Sequence, residues 1–253
     1  MIAPKSILIT GASSGIGAAL ALVYAKPGVC LALSGRDRSR LEAVCESCRS
    51  AGANVVGTVI DIDDGDAVRQ WLVSSDEASP LDLVIANAGV SGGAAAGGEP
   101  SAQARAIFKT NIDGVLNTVH PATEMMLGRG AGQIAVMSSL ASFRGYPGAP
   151  AYSASKAAVR VYGEALRGAL APAGVEVSVI CPGYVRSRMT DKNSFPMPML
   201  MDADRAAQII RRGLERNRPR IAFPWSVYAV AWLLGALPLR VIDPIMARLP
   251  KKT

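Results

Sequence analysis

The sequence predicts a doubly wound α/β fold, a single-domain parallel sheet of about seven strands with helices on both faces, followed by a C-terminal apolar and basic helical extension. Three observations predict it. Short apolar runs alternate with longer segments of helical periodicity as far as residue 223. Glycines crowd the first turn that joins such a run to such a segment. Half of the 253 residues are hydrophobic and 19% are charged, which supplies a large core and excludes a disordered chain.

The elements follow in order. Residues 7–9 read as a strand and 15–25 as a helix. Strand 29–33 precedes helix 38–51, and strand 54–60 precedes helix 65–75. Strand 83–85 leads into 89–98, almost all Gly, Ala and Ser and expected to be a mobile loop. A helix begins near Ser101, and Asn111 is expected to open another over 111–127. Strand 133–137, helix 152–171, strand 175–180, helix 203–215 and a short strand 220–223 complete the pattern. Strands separated by helices of this length imply crossovers and a sheet covered on both faces. No repeat and no domain-scale linker interrupts it.

The first strand runs into Thr10-Gly11-Ala12-Ser13-Ser14-Gly15-Ile16-Gly17. Glycines at a strand-to-helix turn let the backbone approach a pyrophosphate, whose charge then rests on the helix N-terminus. This marks a Rossmann-like dinucleotide site, with spacing G-x-x-x-G-x-G rather than G-x-G-x-x-G. Further motifs follow: Asp61-Ile62 after the third strand, Asn87-Ala88-Gly89 after the fourth, Ser139 thirteen residues before Tyr152, Tyr152-x-x-x-Lys156, and Pro182-Gly183-Tyr184-Val185-Arg186-Ser187. Together they resemble the short-chain dehydrogenase/reductase family over roughly 5–223. The resemblance implies an NAD(P)-dependent oxidoreductase acting on a carbonyl or secondary alcohol. It assigns catalysis to Asn111, Ser139, Tyr152 and Lys156. It assigns cofactor contacts to Gly11, Ser13, Ser14, Gly15, Ile16, Gly17, Arg36, Asp61, Ile62, Asn87, Ala88, Gly89, Tyr152, Lys156, Pro182, Gly183, Val185 and Ser187, and implies no metal. Residues 1–223 then form the dinucleotide-binding and catalytic domain and 224–253 the extension.

The chemistry of the set can be read from the residues. Tyr152 and Lys156 are four apart on a helix and share a face. A free tyrosine, with a pKa near ~10, is a poor base at neutral pH. A neighbouring ammonium is expected to favour the phenolate and lower that value. Tyr152 then serves as general acid for ketone reduction and base for alcohol oxidation. Ser139 can hold the substrate oxygen beside it. Lys156 would hold the nicotinamide ribose hydroxyls, and the resemblance has Asn111 position a water leading from Lys156 to solvent.

At the end of the second strand, where NAD sites place an acidic residue, the sequence reads Ser34-Gly35-Arg36-Asp37. In the resemblance Gly35 takes the acidic place, and the Arg36 guanidinium can fork onto a 2′-phosphate. NADP(H) is favoured, with NAD(H) as the alternative; Asp37 and the uncharged Ser14 argue for the latter.

Other reactive residues read as structural. His120, the sole histidine, has no partner for a nucleophilic triad and is expected to pack or lie at the surface. Cys45 and Cys48 form a C-x-x-C, but Leu41, Val44, Cys45 and Cys48 make one apolar helix stripe, so core packing is expected. Cys30 and Cys181 lie in apolar strands; four cysteines are too few for a disulfide scaffold. No charged run followed by a long apolar segment opens the chain, so a cytoplasmic protein without a secretory signal is expected.

After the Pro182-Gly183 motif, Met189, Phe195, Met197, Met199, Leu200 and Met201 suit either a small hydrophobic, lipid-like substrate or packing on the sheet, with Tyr184 and Phe143 as candidate aromatic walls. The net charge is +7, and all of its basic excess lies in 205–253, with ten basic and two acidic side chains. No charged residue occurs over 221–239, which holds Trp225, Tyr228 and Trp232. Val241, Ile242, Ile245, Met246 and Leu249 then form a second stripe near Arg240, Arg248, Lys251 and Lys252. The run between Pro224 and Pro238 is too short to span a bilayer. The segment 225–253 is expected to be a lid, a dimer contact or a peripheral contact at the cytoplasmic membrane surface. Nucleic-acid binding is excluded for want of interleaved aromatics or a recognition helix. By analogy with the family, a homodimer or homotetramer is expected. The rival to an enzyme is a catalytically silent nucleotide sensor or scaffold, disfavoured by the complete proton-transfer set.

Overall fold

The computed structural model describes residues 4–94, 98–191, 193 and 195–246. Ile245's side chain and Arg248, Leu249, Lys251 and Lys252 of the second stripe fall outside the described positions. Seven parallel strands form one sheet in the order β3-β2-β1-β4-β5-β6-β7. They are β1 (Ser6–Ile9), β2 (Cys30–Gly35), β3 (Asn54–Val59), β4 (Leu83–Ala86), β5 (Gly132–Met137), β6 (Val175–Pro182) and β7 (Arg220–Phe223). The central β1 and β4 are buried throughout, as near-continuous apolar runs require in a sheet covered on both faces.

The helices are α1 (Gly15–Tyr24), α2 (Arg38–Ser50), α3 (Gly65–Ala78), α4 (Ser101–Phe108), α5 (Gly114–Arg129), α6 (Pro150–Leu170), α7 (Ala203–Glu215), α8 (Trp225–Ala236) and α9 (Leu239–Met246). Asp37 and Asp64 start α2 and α3 by accepting hydrogen bonds from Arg40 N at 3.0 Å and Ala67 N at 3.1 Å. One core cluster packs α1, α2 and α7 on one side of the sheet, around Leu20, Leu41 and Ile210. The other packs α3, α5 and α6 on the opposite side, around Leu72, Val119 and Val159. Cys45 and Cys48 are fully buried in the first cluster and Cys181 is equally buried, while Cys30 is half-buried.

Strand order reverses between β1 and β4, so the loops leaving these strands part and open a crevice at their carboxyl ends, where doubly wound sheets bind ligands. Two expectations change here. Asn111 does not open a helix: α4 and α5 are joined by a π-turn, Lys109–Asp113, that holds Asn111 in the middle of one continuous helical run. Within this wider turn Asn111 is fully buried against Val90 and Ser155, a placement that a strict 3.6-residue period does not show. The loop 89–98 is tied down over its described part, because Val90 bonds Asn111, Gly93 O accepts from Gln103 at 2.8 Å and Ala94 N donates to Gly148 O at 2.9 Å.

Candidate active site

The crevice floor is the glycine turn. Gly11 has φ +67, and a Cβ on it would sit 2.8 Å from Ala88 Cα. A Cβ on Gly17 would overlap the Gly11 carbonyl and come within 2.6 Å of Asn87 Nδ2. The two segments pass so closely that neither glycine position has room for a side chain of its own. Ser14 caps α1 without a side-chain hydrogen bond, so the first-turn amides face the crevice free of that competitor. These residues fit a dinucleotide pyrophosphate.

Asn87 and Ala88 frame this turn. The Asn87 amide donates to Thr10 O at 2.9 Å and Gly11 O at 3.2 Å, and Thr10 Oγ1 accepts from Asn87 N and Ala88 N at 3.0 and 3.1 Å. Thr10 is a site residue that the motif reading missed; its signal was a short hydroxyl directly after the strand and before Gly11.

At the strand edge, Ser139 follows β5 and Tyr152 and Lys156 lie in the first half of α6. Ser139 stands near enough to Tyr152 to act on its phenol, while its hydroxyl donates to Pro182 O at 3.5 Å. Ser139 also accepts from Ala141 N at 3.1 Å, which fixes the turn that carries it. Lys156 is buried, and its ammonium donates to Met137 O at 2.9 Å and lies 6.0 Å from the Tyr152 ring centre. Ser138 Oγ donates to Lys156 O at 2.8 Å and so ties β5 to α6. Asn111 is fully buried; it accepts from Val90 N at 2.8 Å and donates to Val90 O at 2.9 Å and Ser155 Oγ at 3.0 Å. A Cβ on Gly89 would lie 3.0 Å from Asn111 Oδ1 and 3.2 Å from Lys156 Nζ, so that glycine separates the two side chains.

Electrostatics depart from the expectation for Tyr152. Burial pushes its pKa up, and neighbouring Ser139 pulls it back in part. The same burial pushes Lys156 down to about 8. Desolvation penalises both charged forms and sets the direction of both shifts.

Ile62 and Val185 of the expected cofactor set have buried side chains. The Ile62 side chain is 5% exposed in the core; Val185 is 4% exposed, also in the core. Neither offers its side chain to a ligand. Arg36 and Asp61 stand at the open end, Nη1 to Oδ2 4.0 Å, with 63% and 49% of their side chains exposed. A Cβ on Gly35 would press on Ser13 Cβ at 2.8 Å, so an acidic side chain could not take that place unaltered. Ser187 lies over the glycine turn, 3.0 Å from where a Gly15 Cβ would be.

Phe143 lines a cavity together with Tyr146, Ser153 and Ala157. Its ring is held by the Arg160 and Arg220 guanidiniums at 4.7 and 5.3 Å and by the edge of Tyr228 at 5.3 Å. Tyr184 packs against Phe195 at 6.1 Å, and burial together with neighbouring Tyr146 and Tyr152 raises its phenol pKa. Tyr146 therefore joins this group, unmarked by any motif. The methionines divide: Met201 packs on the core while Met199 is 57% exposed. His120 is exposed and stacks with Tyr162 at 6.3 Å, as its surface reading requires.

Comparison with known proteins turns this geometry into a family assignment. The family model of the short chain dehydrogenases matches residues 5–196. The chain belongs to the short-chain dehydrogenase family. An uncharacterized oxidoreductase of Myxococcus xanthus is 38% identical over 97% of both chains. Two solved structures share the architecture across nearly the whole chain. A short chain dehydrogenase/reductase from Burkholderia phymatum in complex with NAD has 27% identity and a TM-score of 0.83, covering 98% of this chain and 97% of its own. A short-chain dehydrogenase from Sphingobium yanoikuyae in complex with NADPH has 25% identity and a TM-score of 0.82, covering 98% of both. This dehydrogenase is accordingly an NAD(P)-dependent oxidoreductase.

Proposed function

We propose that this dehydrogenase transfers a hydride between NADP(H) and the carbonyl or secondary alcohol of a small hydrophobic, lipid-like substrate, with Tyr152 as general acid and base. The observation that carries the reading is the convergence of buried Ser139 and buried Lys156 on Tyr152, with the ammonium 6.0 Å from its ring centre. When bound, the nicotinamide supplies or accepts the hydride. Ser139 donates a hydrogen bond to the substrate oxygen and holds it at the Tyr152 hydroxyl. In reduction, Tyr152 gives its proton to that oxygen, and in oxidation it takes the proton back. Lys156 spends one of its three donors on Met137 O and keeps two for the ribose hydroxyls and for refilling Tyr152. Asn111, beside Lys156 across Gly89, orients the water that joins this relay to solvent.

The exposed Arg36 guanidinium at the open end supports NADP(H), since it can grip a 2′-phosphate there. The remaining cofactor contacts follow the glycine turn, Asn87 to Gly89 and the 182–187 loop. Residues 1–223 act as the catalytic domain and 224–253 as an extension, whose helix α8 packs on the loop after Ser139. The active form is a homo-oligomer, and the extension makes peripheral contact with a membrane surface. The test is optical: a panel of ketones, ketoacyl thioesters and steroids with NADPH or NADH at equal concentration. Turnover with NADPH, abolished in Tyr152→Phe, is expected. A clear NADH preference overturns the cofactor assignment, and full turnover by Tyr152→Phe overturns the mechanism.

A further inference from the structure

Helix α8 has two apolar faces and no fully buried residue. Its inner face, Val227, Tyr228 and Ala231, packs against Leu140, Phe143 and Cys181. Its outer face lies at positions 225, 229, 232, 233 and 236, one helical stripe without a charge. Trp225 is 78% exposed, Trp232 56% and Leu233 53%, while Val230 beside them is 56% exposed. Soluble chains rarely leave such a stripe uncovered. The patch continues in both directions. Ser226 Oγ donates to Met199 Sδ at 3.1 Å, which sets exposed Met199 of the 183–201 loop beside the start of α8. Beyond its end, Leu239 and Val241 are also exposed, at 65% and 55%.

Three features decide the occupant. Tryptophans on an exposed apolar face suit the headgroup level of a bilayer. From residue 240 onward the sequence holds Arg240, Arg248, Lys251 and Lys252 against Asp243 alone, a positive flank complementary to anionic lipid. A 12-residue helix is too short to span but suits lying in the interface. Among the described residues no helix is long and apolar enough to cross a membrane.

We infer that α8 lies on an anionic lipid layer with Trp225, Trp232 and Leu233 in the headgroup region, so that the Met199 loop faces the lipid and the site draws a lipophilic carbonyl from it. This deepens the membrane contact and substrate class proposed above. Arg144 couples the docked segment to the loop of Ser139: it reaches Leu237 O at 3.4 Å and Asp243 at 3.8 Å. A Cβ on Gly235 would overlap Phe143 O, so α8 lies directly on that loop.

Tryptophan emission tests the docking without any substrate. Of the three tryptophans, Trp71 is only 6% exposed, so a lipid-induced blue shift reports Trp225 and Trp232. The full chain is mixed with phosphatidylcholine vesicles, with and without phosphatidylglycerol, at low and high salt. Expected are a blue shift and co-sedimentation with the anionic vesicles, both weakened by salt. In Trp225→Ser/Trp232→Ser, partitioning should fall about tenfold or more. NADPH binding, followed by its own fluorescence, should be unchanged. Wild type that ignores anionic vesicles at low salt overturns the membrane contact itself. Wild type that binds equally well after the double substitution overturns α8 as the docking face and leaves the contact standing. A mass in solution that halves in the double variant assigns the face to a second copy and also overturns the inference. Loss of NADPH binding in wild type strikes the reductase reading instead.

Discussion

The edge of the sheet that carries Ser139, Tyr152 and Lys156 and the helical pair that follows β7 press on the same loop, but they are built by different rules. At the sheet edge, Asn111, Ser138, Ser139 and Lys156 are buried polar groups, each with bonded partners. In α8 no side chain is fully buried and the outward stripe is apolar. A buried polar group fixes both its residue type and its geometry, because an unbonded one costs about 1–3 kcal/mol. An apolar face on a surface helix constrains residue size and little else. The first region is specified by chemistry and the second by what it lies against.

Tyr152→Phe probes the first rule most severely. It removes one hydroxyl and leaves the packed ring, so the fold and NADPH affinity should persist. Turnover on an active substrate should fall by about 10²–10⁴-fold, the usual contribution of general acid–base catalysis. Because burial raises the Tyr152 pKa, the acid form persists through neutral pH. Reduction rates should therefore stay level near neutrality and decline in alkali, whereas oxidation rates should climb with alkalinity. Coincident pH profiles for the two directions would remove Tyr152 from the proton path.

Lys156→Met tests whether the buried charge is held at a cost to stability. The folded pKa of Lys156, about 8, lies below the 10.5 of a free lysine. The folded chain therefore binds that proton more weakly, and wild-type stability rises as pH increases from about 8 to 10.5. Methionine carries no charge, so the variant should be more stable at pH 7 by up to roughly 3 kcal/mol. The gain shrinks across the alkaline window, and loss of the Met137 bond subtracts from it. Urea unfolding at pH 7 and pH 10 measures both. A gain independent of pH would mean that packing, not charge, decides the outcome. Catalysis should be lost in either case.

How far each region could be read from the sequence follows the same division. Gly11, Gly17, Asn87, Ser139, Tyr152 and Lys156 were legible because each must be one residue type at one position in a βα turn, a strand end or a helix face. Arg36 was legible from its place after β2. Asn111 was found, but its π-turn was not, since a one-residue widening leaves no mark on apolar periodicity. Phe143 was legible as a candidate wall of a cavity, but what holds its ring was not. Its clamp is assembled from Arg160 on α6, Arg220 on β7 and Tyr228 on α8, residues distant in sequence and joined only by the fold. The lowered Lys156 and raised Tyr152 values also depend on tertiary burial, which spacing alone does not report.

Arg36→Ala moves to the rim, where exposure weakens every interaction. The side chain is 63% exposed, and its Asp61 partner stands 4.0 Å away, so stability should hardly change. A charge-assisted bond to a 2′-phosphate contributes about 1.5–3 kcal/mol, so NADPH affinity should drop about ten- to a hundredfold while NADH affinity holds. Calorimetric titration with both cofactors, and with 2′,5′-ADP against 5′-AMP, reads the difference. An equal loss for both would place Arg36 on the adenine or the loop rather than on the phosphate.

Tyr228→Phe asks how firmly α8 is joined to the catalytic edge. The Tyr228 hydroxyl accepts from Arg220 Nη1 at 3.0 Å, and Arg220 in turn pairs with Glu164 on α6. Removing the hydroxyl leaves the ring against Phe143 and frees one guanidinium arm that is part-buried. A hydrogen bond to a charged donor in such a setting is worth about 1 kcal/mol or slightly more. The variant should unfold at lower urea concentration by that amount, with NADPH affinity unchanged. If it matches wild type, α8 rests on the loop through apolar contact alone. A loss well beyond this value would show that Arg220, once released, also gives up its stacking on Phe143, so that the helix and the Ser139 loop move as one unit.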